Sequence, residues 1–228
     1  MGEVAGGGVV RVETIGRHTL YLGDCREVLP SLVNLDCVLV TDPPYPNGEG
    51  FFIDAIETAR MFLAWVVPKA ALVFWSELEH PPSRLPLCAV HIWHRTNVNG
   101  KPYEPIYHFA ADGRKRRSEI VRHCVVDSSA RTGCAESEDH PTQKPVAVMR
   151  WLLDKEPEGL VVDPFVGVGS TSVAAERAGR ASIACEVNLG YFDIACRRVE
   201  QAVAQGKMDF GEEREKPVQE TMEALETP

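Results

Sequence analysis

The sequence predicts an α/β fold, a doubly wound Rossmann-like sheet that also carries an antiparallel hairpin. Three observations predict it. Short apolar runs of strand length alternate with amphipathic runs of helix length. Two of the early strands end at once in a loop that holds an acid. The last third of the chain reads strand, Gly-rich turn, helix, strand, acid, helix, which is the pattern of the nucleotide-binding half of such a sheet.

In order along the chain, Thr19 to Leu22 and Cys37 to Val40 have the apolar, partly β-branched character of short buried strands, and the loops Gly23-Asp24-Cys25 and Thr41-Asp42 follow them. Ile53 to Val67 is amphipathic at helical spacing and is closed by Pro68. Ala70 to Trp75 supplies a third apolar strand. Val90 to Arg95 and Tyr103 to Ala110 are rich in aromatic and β-branched residues, and Asn99-Gly100 between them is a strong hairpin signal. A polar stretch, 111–139, lacks clear periodicity and is expected to be a short inserted recognition segment. Pro145 to Lys155 fits a helix, Leu160 to Val162 a buried strand, Ser170 to Ala178 a helix ending at Gly179, Ala181 to Cys185 a strand, and Asn188 to Gln205 a final amphipathic helix. Residues 1–18 are expected to be a flexible N-terminal segment, 19–205 a single catalytic domain, and 206–228 an acidic tail.

Composition narrows the function classes. With 228 residues, 44% of them hydrophobic and 25% charged, the chain can bury one substantial core. No apolar stretch approaches the roughly 20 residues of a membrane span, and the Gly-rich start has no signal-peptide character, so a cytoplasmic protein without a membrane partner is expected. Seven cysteines without a C-x-x-C pair form neither a disulfide framework nor a zinc site, and no metal is expected. A net charge of −9 argues against a nucleic-acid partner at first sight. Its distribution weakens that objection, because 209–228 alone carry −5, whereas Arg114, Lys115, Arg116, Arg117 and Arg122 gather positive charge in one segment. Such a run is also what an ordinary solvated loop looks like.

The motif with the most chemical content is Asp42-Pro43-Pro44-Tyr45, at the end of an apolar strand. An exocyclic amine conjugated to a heteroaromatic ring is a poor nucleophile, so an enzyme that alkylates it must localise the lone pair and hold the ring. The Asp42 carboxylate and the Pro43 carbonyl can each accept one amine hydrogen, Pro43 and Pro44 stiffen the turn, and Tyr45 offers a stacking face. The bland alternative is a strand that ends in a Pro turn. A second motif, Asp163-Pro164-Phe165-Val166-Gly167-Val168-Gly169-Ser170-Thr171, lies between a strand and a helix, where small residues let a ligand approach the backbone. Glu186, closing the next strand, can accept from two ribose hydroxyls. A dinucleotide fingerprint would need a third glycine where Ser172 stands, and Asp163 would repel a pyrophosphate. An acid there suits the amino-acid moiety or the sulfonium of S-adenosylmethionine.

Together with His140-Pro141-Thr142-Gln143-Lys144-Pro145, these motifs make the chain resemble the β-group DNA amino-methyltransferases, which act on adenine N6 or cytosine N4 and have a circularly permuted motif order. The resemblance runs from about Tyr21 to about Glu200. It implies S-adenosylmethionine as cofactor, with Asp163, Phe165, Gly167, Gly169, Ser170 and Thr171 in the turn around its methionine part and Glu186 on its ribose. It implies Asp24 and the Cys25 backbone near the adenine amine, and Thr142 and Lys144 as polar contacts in the capping segment. Asp42, Pro43, Pro44 and Tyr45 become the catalytic set, and Arg114 to Arg117 with Arg122 the contacts to double-stranded DNA. Tyr103-Glu104-Pro105 resembles the hairpin over a flipped base. Asp at the first position of the catalytic tetrapeptide favours adenine over cytosine in the family pattern. The chain departs from the family in its short recognition segment, which leaves open a very short site, a partner or a second copy of the chain in a homodimer, or relaxed specificity. A dehydrogenase and a non-catalytic DNA-binding module stay open as other classes.

Overall fold

The structure is a computed structural model that describes residues 11–29, 36–44, 53–96, 102–123 and 143–209. In chain order its elements are β1 (Arg11–Ile15), β2 (His18–Leu22), α1 (Cys25–Val28), β3 (Cys37–Thr41), α2 (Ile53–Trp65), β4 (Ala70–Phe74), β5 (Leu87–Arg95), β6 (Tyr103–Ala110), β7 (Ile120–His123), α3 (Val146–Leu153), β8 (Leu160–Asp163), α4 (Ser170–Arg177), β9 (Ser182–Glu186) and α5 (Leu189–Asp209). The strands form one nine-stranded sheet in the order β1-β2-β9-β8-β3-β4-β6-β5-β7. Strands β2, β9, β8, β3 and β4 run parallel, β6 is antiparallel to both β4 and β5, and β1 is antiparallel to β2.

Every residue of β3 and β4 is buried, as expected for central strands covered on both faces. The pleat sorts their side chains. Val38, Val40, Leu72 and Phe74 pack with α3, α4 and α5 on one face, while Cys37, Leu39, Ala71 and Val73 pack with α1 and α2 on the other. Because β8 leads to β9 through α4 and β3 leads to β4 through α2, the connections leave the sheet on opposite faces at the β8–β3 boundary. That boundary is the topological switch point, where the strand ends open a crevice.

Three features differ from the sequence reading. Residues 11–18 belong to the sheet and not to a flexible segment: β1 and β2 form a hairpin whose loop is Gly16-Arg17, with Ile15 opposite His18 and Gly16 at φ +59°. The strand escaped notice because an edge strand exposed at Arg11, Val12 and Thr14 shows no clean apolar alternation. The polar segment 111–139 contributes β7, paired in parallel with β5 through Ile92↔Ile120 to Arg95↔His123. The last helix reaches Asp209, beyond the expected end at 205. The Asn99-Gly100 turn lies outside the described residues, although β5 and β6 pair as a hairpin would require.

A buried polar cluster ties the N-terminal hairpin to the C-terminal half. His18, fully buried, has Nδ1 2.7 Å from Ser182 Oγ and Nε2 2.8 Å from Glu176 Oε2, and Ser182 Oγ donates to Ser172 Oγ at 3.1 Å. Replacing His18 by Leu leaves the hydroxyl and carboxylate facing an apolar group, so His18→Leu is expected to lower stability by about 2 to 4 kcal/mol in urea denaturation.

Candidate active site

Asp42 follows β3 directly, beside the end of β8, because the register Leu39↔Val162 brings Thr41 and Asp163 together. Thr41 Oγ1 donates to Asp163 Oδ1 at 2.6 Å. The Asp42 side chain is 21% exposed, and its oxygens have different surroundings. Lys144 Nζ donates to Oδ2 at 2.5 Å, whereas Oδ1 is out of solvent and has no hydrogen-bond partner among the described residues. Burial pushes the Asp42 carboxyl up, the Lys144 ammonium opposes that, and the Glu104 carboxylate adds to it. Lys144 also lies 3.2 Å from Glu104 Oε2, and Glu104 Oε1 lies 3.1 Å from Arg95 Nη1. The buried ammonium sits 4.9 Å from the centre of the Phe74 ring and 5.9 Å from that of Trp93. Pro43 is buried beside Asp42, and Pro44 is half-buried.

Beyond β8, Asp163 organises the turn. Its Oδ1 accepts from Phe165 N at 3.1 Å as well as from Thr41, and its Oδ2 accepts from Thr171 Oγ1 at 2.5 Å. The sequence reading put Asp163 and Thr171 against a cofactor. In the structure each is turned toward the other, so they hold the backbone that a ligand would meet. Gly167, at φ +53°, has no heavy atom within 4 Å of where a Cβ would stand. Gly169, at φ +90°, would place a Cβ 3.0 Å from Ala195 Cα of α5, so its small size serves helix packing. Ser170 is buried and receives a long contact, 3.4 Å, from Arg198 Nη1. Phe165 meets Phe62 of α2 edge to face, with ring centres 6.4 Å apart.

Glu186 closes β9 and binds the turn from the side: Oε2 accepts from Gly167 N at 2.9 Å and Oε1 from Asn188 N at 2.8 Å. Burial pushes its carboxyl up against those backbone donors. Each oxygen still has a lone pair beyond its backbone bond. Asp24 stands nearby, since Gly23 N donates to Glu186 O at 2.9 Å. Its carboxylate caps α1 through Arg26 N at 2.8 Å and pairs with the Arg26 side chain, which holds it below the usual carboxylate range. The Cys25 thiol is buried and pushed up to about 12 by that burial, so Cys25 stays a neutral thiol.

The basic run divides into two kinds of residue. Arg114, Arg117 and Arg122 are exposed, and Lys115, also exposed, donates to Leu87 O at 3.0 Å. Arg116 turns inward, 2.7 Å from Glu156 Oε1 and 3.0 Å from Asp112 Oδ1. It thus departs from the expected DNA-contact set, because the buried Glu156 carboxylate needs a cation. Glu156 also lies 2.9 Å from His108 Nε2, and His108 Nδ1 lies 3.2 Å from His91 Nε2. Lys144, expected among the cofactor contacts, has its ammonium on two carboxylates, one of them Asp42. Arg95 and Glu104 complete the charged network, and Thr41 ties Asp163 to the end of β3. Glu104 was discernible as a lone acid in an apolar strand, but Thr41 and Arg95 gave no sequence signal. Tyr45 and Thr142 lie outside the described residues.

A family profile described as DNA methylase, for the N6/N4 enzymes, matches residues 77–197. The chain belongs to this family. Two curated relatives agree with it. The type II methyltransferase M.ScaI of Streptomyces caespitosus is 34% identical over 88 residues, which is 38% of this chain and 29% of the relative. The DNA adenine methyltransferase YhdJ of Escherichia coli is 38% identical over 69 residues, 29% of this chain and 24% of the relative. The matched segments therefore take in less than a third of these relatives' length. Among solved structures, the PvuII cytosine-N4-specific DNA methyltransferase aligns with a TM-score of 0.63 at 17% identity, covering 90% of this chain and 98% of the other. The M1.HpyAVI complex with SAM aligns with a TM-score of 0.58 at 21% identity, covering 80% and 98%. These likenesses show that the doubly wound methyltransferase fold is shared. Among the described residues, no helix is long and apolar enough to cross a membrane, and no three His, Cys, Asp or Glu side chains gather as a metal-ligand set.

Asp163 generates a pH test. Burial among three donors pushes its carboxyl up from 3.8 to about 6. The folded state therefore holds the Asp163 proton more tightly than the unfolded chain does. The resulting stabilisation is full below about pH 4 and is lost as pH rises through about 6, of order 3 kcal/mol at 1.36 kcal/mol per pH unit. Asp163→Asn cannot ionise, so the difference between its stability–pH curve and the parent's, measured by urea denaturation, is expected to grow in the variant's favour across that window.

Proposed function

We propose that the protein transfers a methyl group from S-adenosylmethionine to the exocyclic amine of a base in double-stranded DNA, with adenine N6 as the target. The observation that carries this reading is Asp42 Oδ1, a desolvated acceptor without a donor among the described residues, at the switch point of a methyltransferase fold. Buried acceptors are nearly always paired, and an amine hydrogen is the donor this site lacks.

The chain's residues fit the cofactor. Space over Gly167 lets a ligand reach the backbone, and Glu186 keeps lone pairs for two ribose hydroxyls. Asp24 and Cys25 at the start of α1, joined to Glu186 through Gly23, are suited to the adenine end. S-adenosylmethionine supplies an electrophilic methyl on a sulfonium centre. The target base must leave the duplex, at a cost of a few kcal/mol, and Tyr45 is the stacking residue in this reading. Asp42 Oδ1 and the Pro43 carbonyl accept the two amine hydrogens and localise the nitrogen lone pair for attack. As the new N–C bond forms and the C–S bond breaks, one amine proton leaves, with Asp42 as its first acceptor. Orientation in the closed site contributes much of the rate.

Adenine is favoured by Asp42 at the head of the tetrapeptide, and one relative carries the name adenine methyltransferase. Cytosine N4 is the second reading, because that amine presents the same two hydrogens to Asp42 and Pro43 and a structural neighbour is named for it. In either case the enzyme acts in the cytoplasm and reads a very short motif or binds DNA as a homodimer, since the recognition segment is small.

Incubation with methyl-labelled S-adenosylmethionine and duplex DNA, followed by nucleoside analysis, is expected to yield N6-methyladenine. N4-methylcytosine would establish the second reading, and label in neither nucleoside would overturn both. In the same assay Asp42→Ala is expected to reduce methyl transfer by about 100-fold or more. Calorimetry should find its cofactor affinity near that of the parent, because Asp42 faces the amine.

Replacing Arg114, Arg117 and Arg122 together by Ala is expected to weaken DNA binding and flatten its salt dependence, with the log–log slope falling by about 0.9 for each phosphate that is no longer neutralised and thermal stability unchanged. Arg116→Ala should do the reverse, lowering stability by about 1 to 3 kcal/mol because Glu156 is left without a buried cation.

A further inference from the structure

Lys144 sits in the middle of a linear array of alternating charge, Arg95–Glu104–Lys144–Asp42, with successive contacts of 3.1, 3.2 and 2.5 Å. The array joins four separate parts of the chain: β5, β6, the approach to α3 and the end of β3. Its centre is dry. Lys144 is 7% exposed, and its ammonium lies against the faces of Phe74 and Trp93, which are themselves buried and meet edge to face with ring centres 6.3 Å apart. A fully buried lysine is rare unless paired, and this one is paired to a residue of the proposed catalytic set.

We propose that Lys144, itself held by Glu104 and Arg95, is the positioning residue of the methyl-transfer site: it grips Asp42 Oδ2, fixes the carboxylate rotamer and leaves Oδ1 as the acceptor for the target amine. This rests on the function proposed above and assigns that site its orienting group. The argument is one of geometry and charge state. A carboxylate accepts an amine hydrogen through either oxygen, so an unheld Asp42 could rotate and present the wrong lone pair. Lys144 removes that freedom by occupying one oxygen from a fixed direction. A protonated Asp42 would be a weaker acceptor and could not take up the amine proton, and several groups bear on its charge: burial and Glu104 favour protonation, Lys144 opposes it, and Asp163 on β8 is a further acid beside it. Arg95, one step out, neutralises Glu104, so that Glu104 can orient the lysine with less repulsion of Asp42. Removal of either charge therefore has a definite sign. Without the ammonium, the pH at which Asp42 ionises rises, and without the Glu104 charge it falls.

The test uses the full chain with Lys144→Met, which keeps the length of the side chain in its apolar sleeve, and the near-isosteric Glu104→Gln. Carbon-13 NMR of the Asp42 carboxyl is followed from pH 4 to 9 without DNA or cofactor, and kcat is measured over the same range. Lys144→Met is expected to move the Asp42 titration up by about 1 to 3 pH units. It should lower kcat at neutral pH and recover part of that loss as the pH is raised, with cofactor affinity retained. Glu104→Gln is expected to move the titration and the acid limb of kcat down. A merely structural role would reduce folded protein without moving either midpoint. Titrations unchanged in both variants, or a kcat loss that is flat with pH, would overturn the assignment. If the midpoints move as stated but the parent methylates no DNA, the charge array stands and the proposed function falls.

Discussion

The site depends on one lateral contact, the Thr41 to Asp163 hydrogen bond between the ends of two parallel strands. At 2.6 Å it joins the strand that leads into Asp42 to the strand that leads into the glycine turn. The connections diverge at this boundary, so two loops of different sequence meet over one crevice. If β3 shifted by one residue, Thr41 would point to the opposite face of the sheet and the pairing would be broken. Register thus sets the distance between the amine-binding and cofactor-binding parts of the proposed site.

Two carboxylates 121 residues apart in sequence occupy this crevice under different conditions. Asp163 is surrounded by neutral donors and is used to hold a turn; burial dominates its titration. Asp42 is paired with a buried ammonium and keeps one oxygen without a donor among the described residues. Burial disfavours charge on both, and among the described residues a compensating cation pairs with Asp42 and not with Asp163. The contrast follows from the neighbours that β6 and the approach to α3 bring to it. A cation beside a carboxylate in a dry site opposes the effect of burial and favours the ionised form.

The polar stretch 111–123 is joined to the same frame by polar contacts that reach buried groups. Arg116 reaches Glu156, which also contacts His108 and through it His91. Burial, with His108 beside it, holds His91 down to about 4, so His91 is neutral across the working pH range. Lys155 adds a second tie at 2.7 Å to Glu119. With Arg116 committed inward, the exposed cations of the described part of the segment are Arg114, Lys115, Arg117 and Arg122.

The sequence by itself determined the order of the central strands and long helices, the fold class and the motifs at the strand ends. The strand Cys37–Thr41 is apolar up to its closing threonine, and the glycines at 167 and 169 mark a turn whose backbone has positive φ at both positions. Edge strands were not legible, because β1 and β7 bury little and carry no periodic signal. Nor could the sequence assign side chains within a motif. Lys144 and Asp42 are 102 positions apart, a separation that no local propensity bridges, and Arg116 reads like its neighbours until Glu156 is placed beneath it. Only the tertiary structure decided those partners, since burial and the direction of a side chain arise when distant strands are brought side by side.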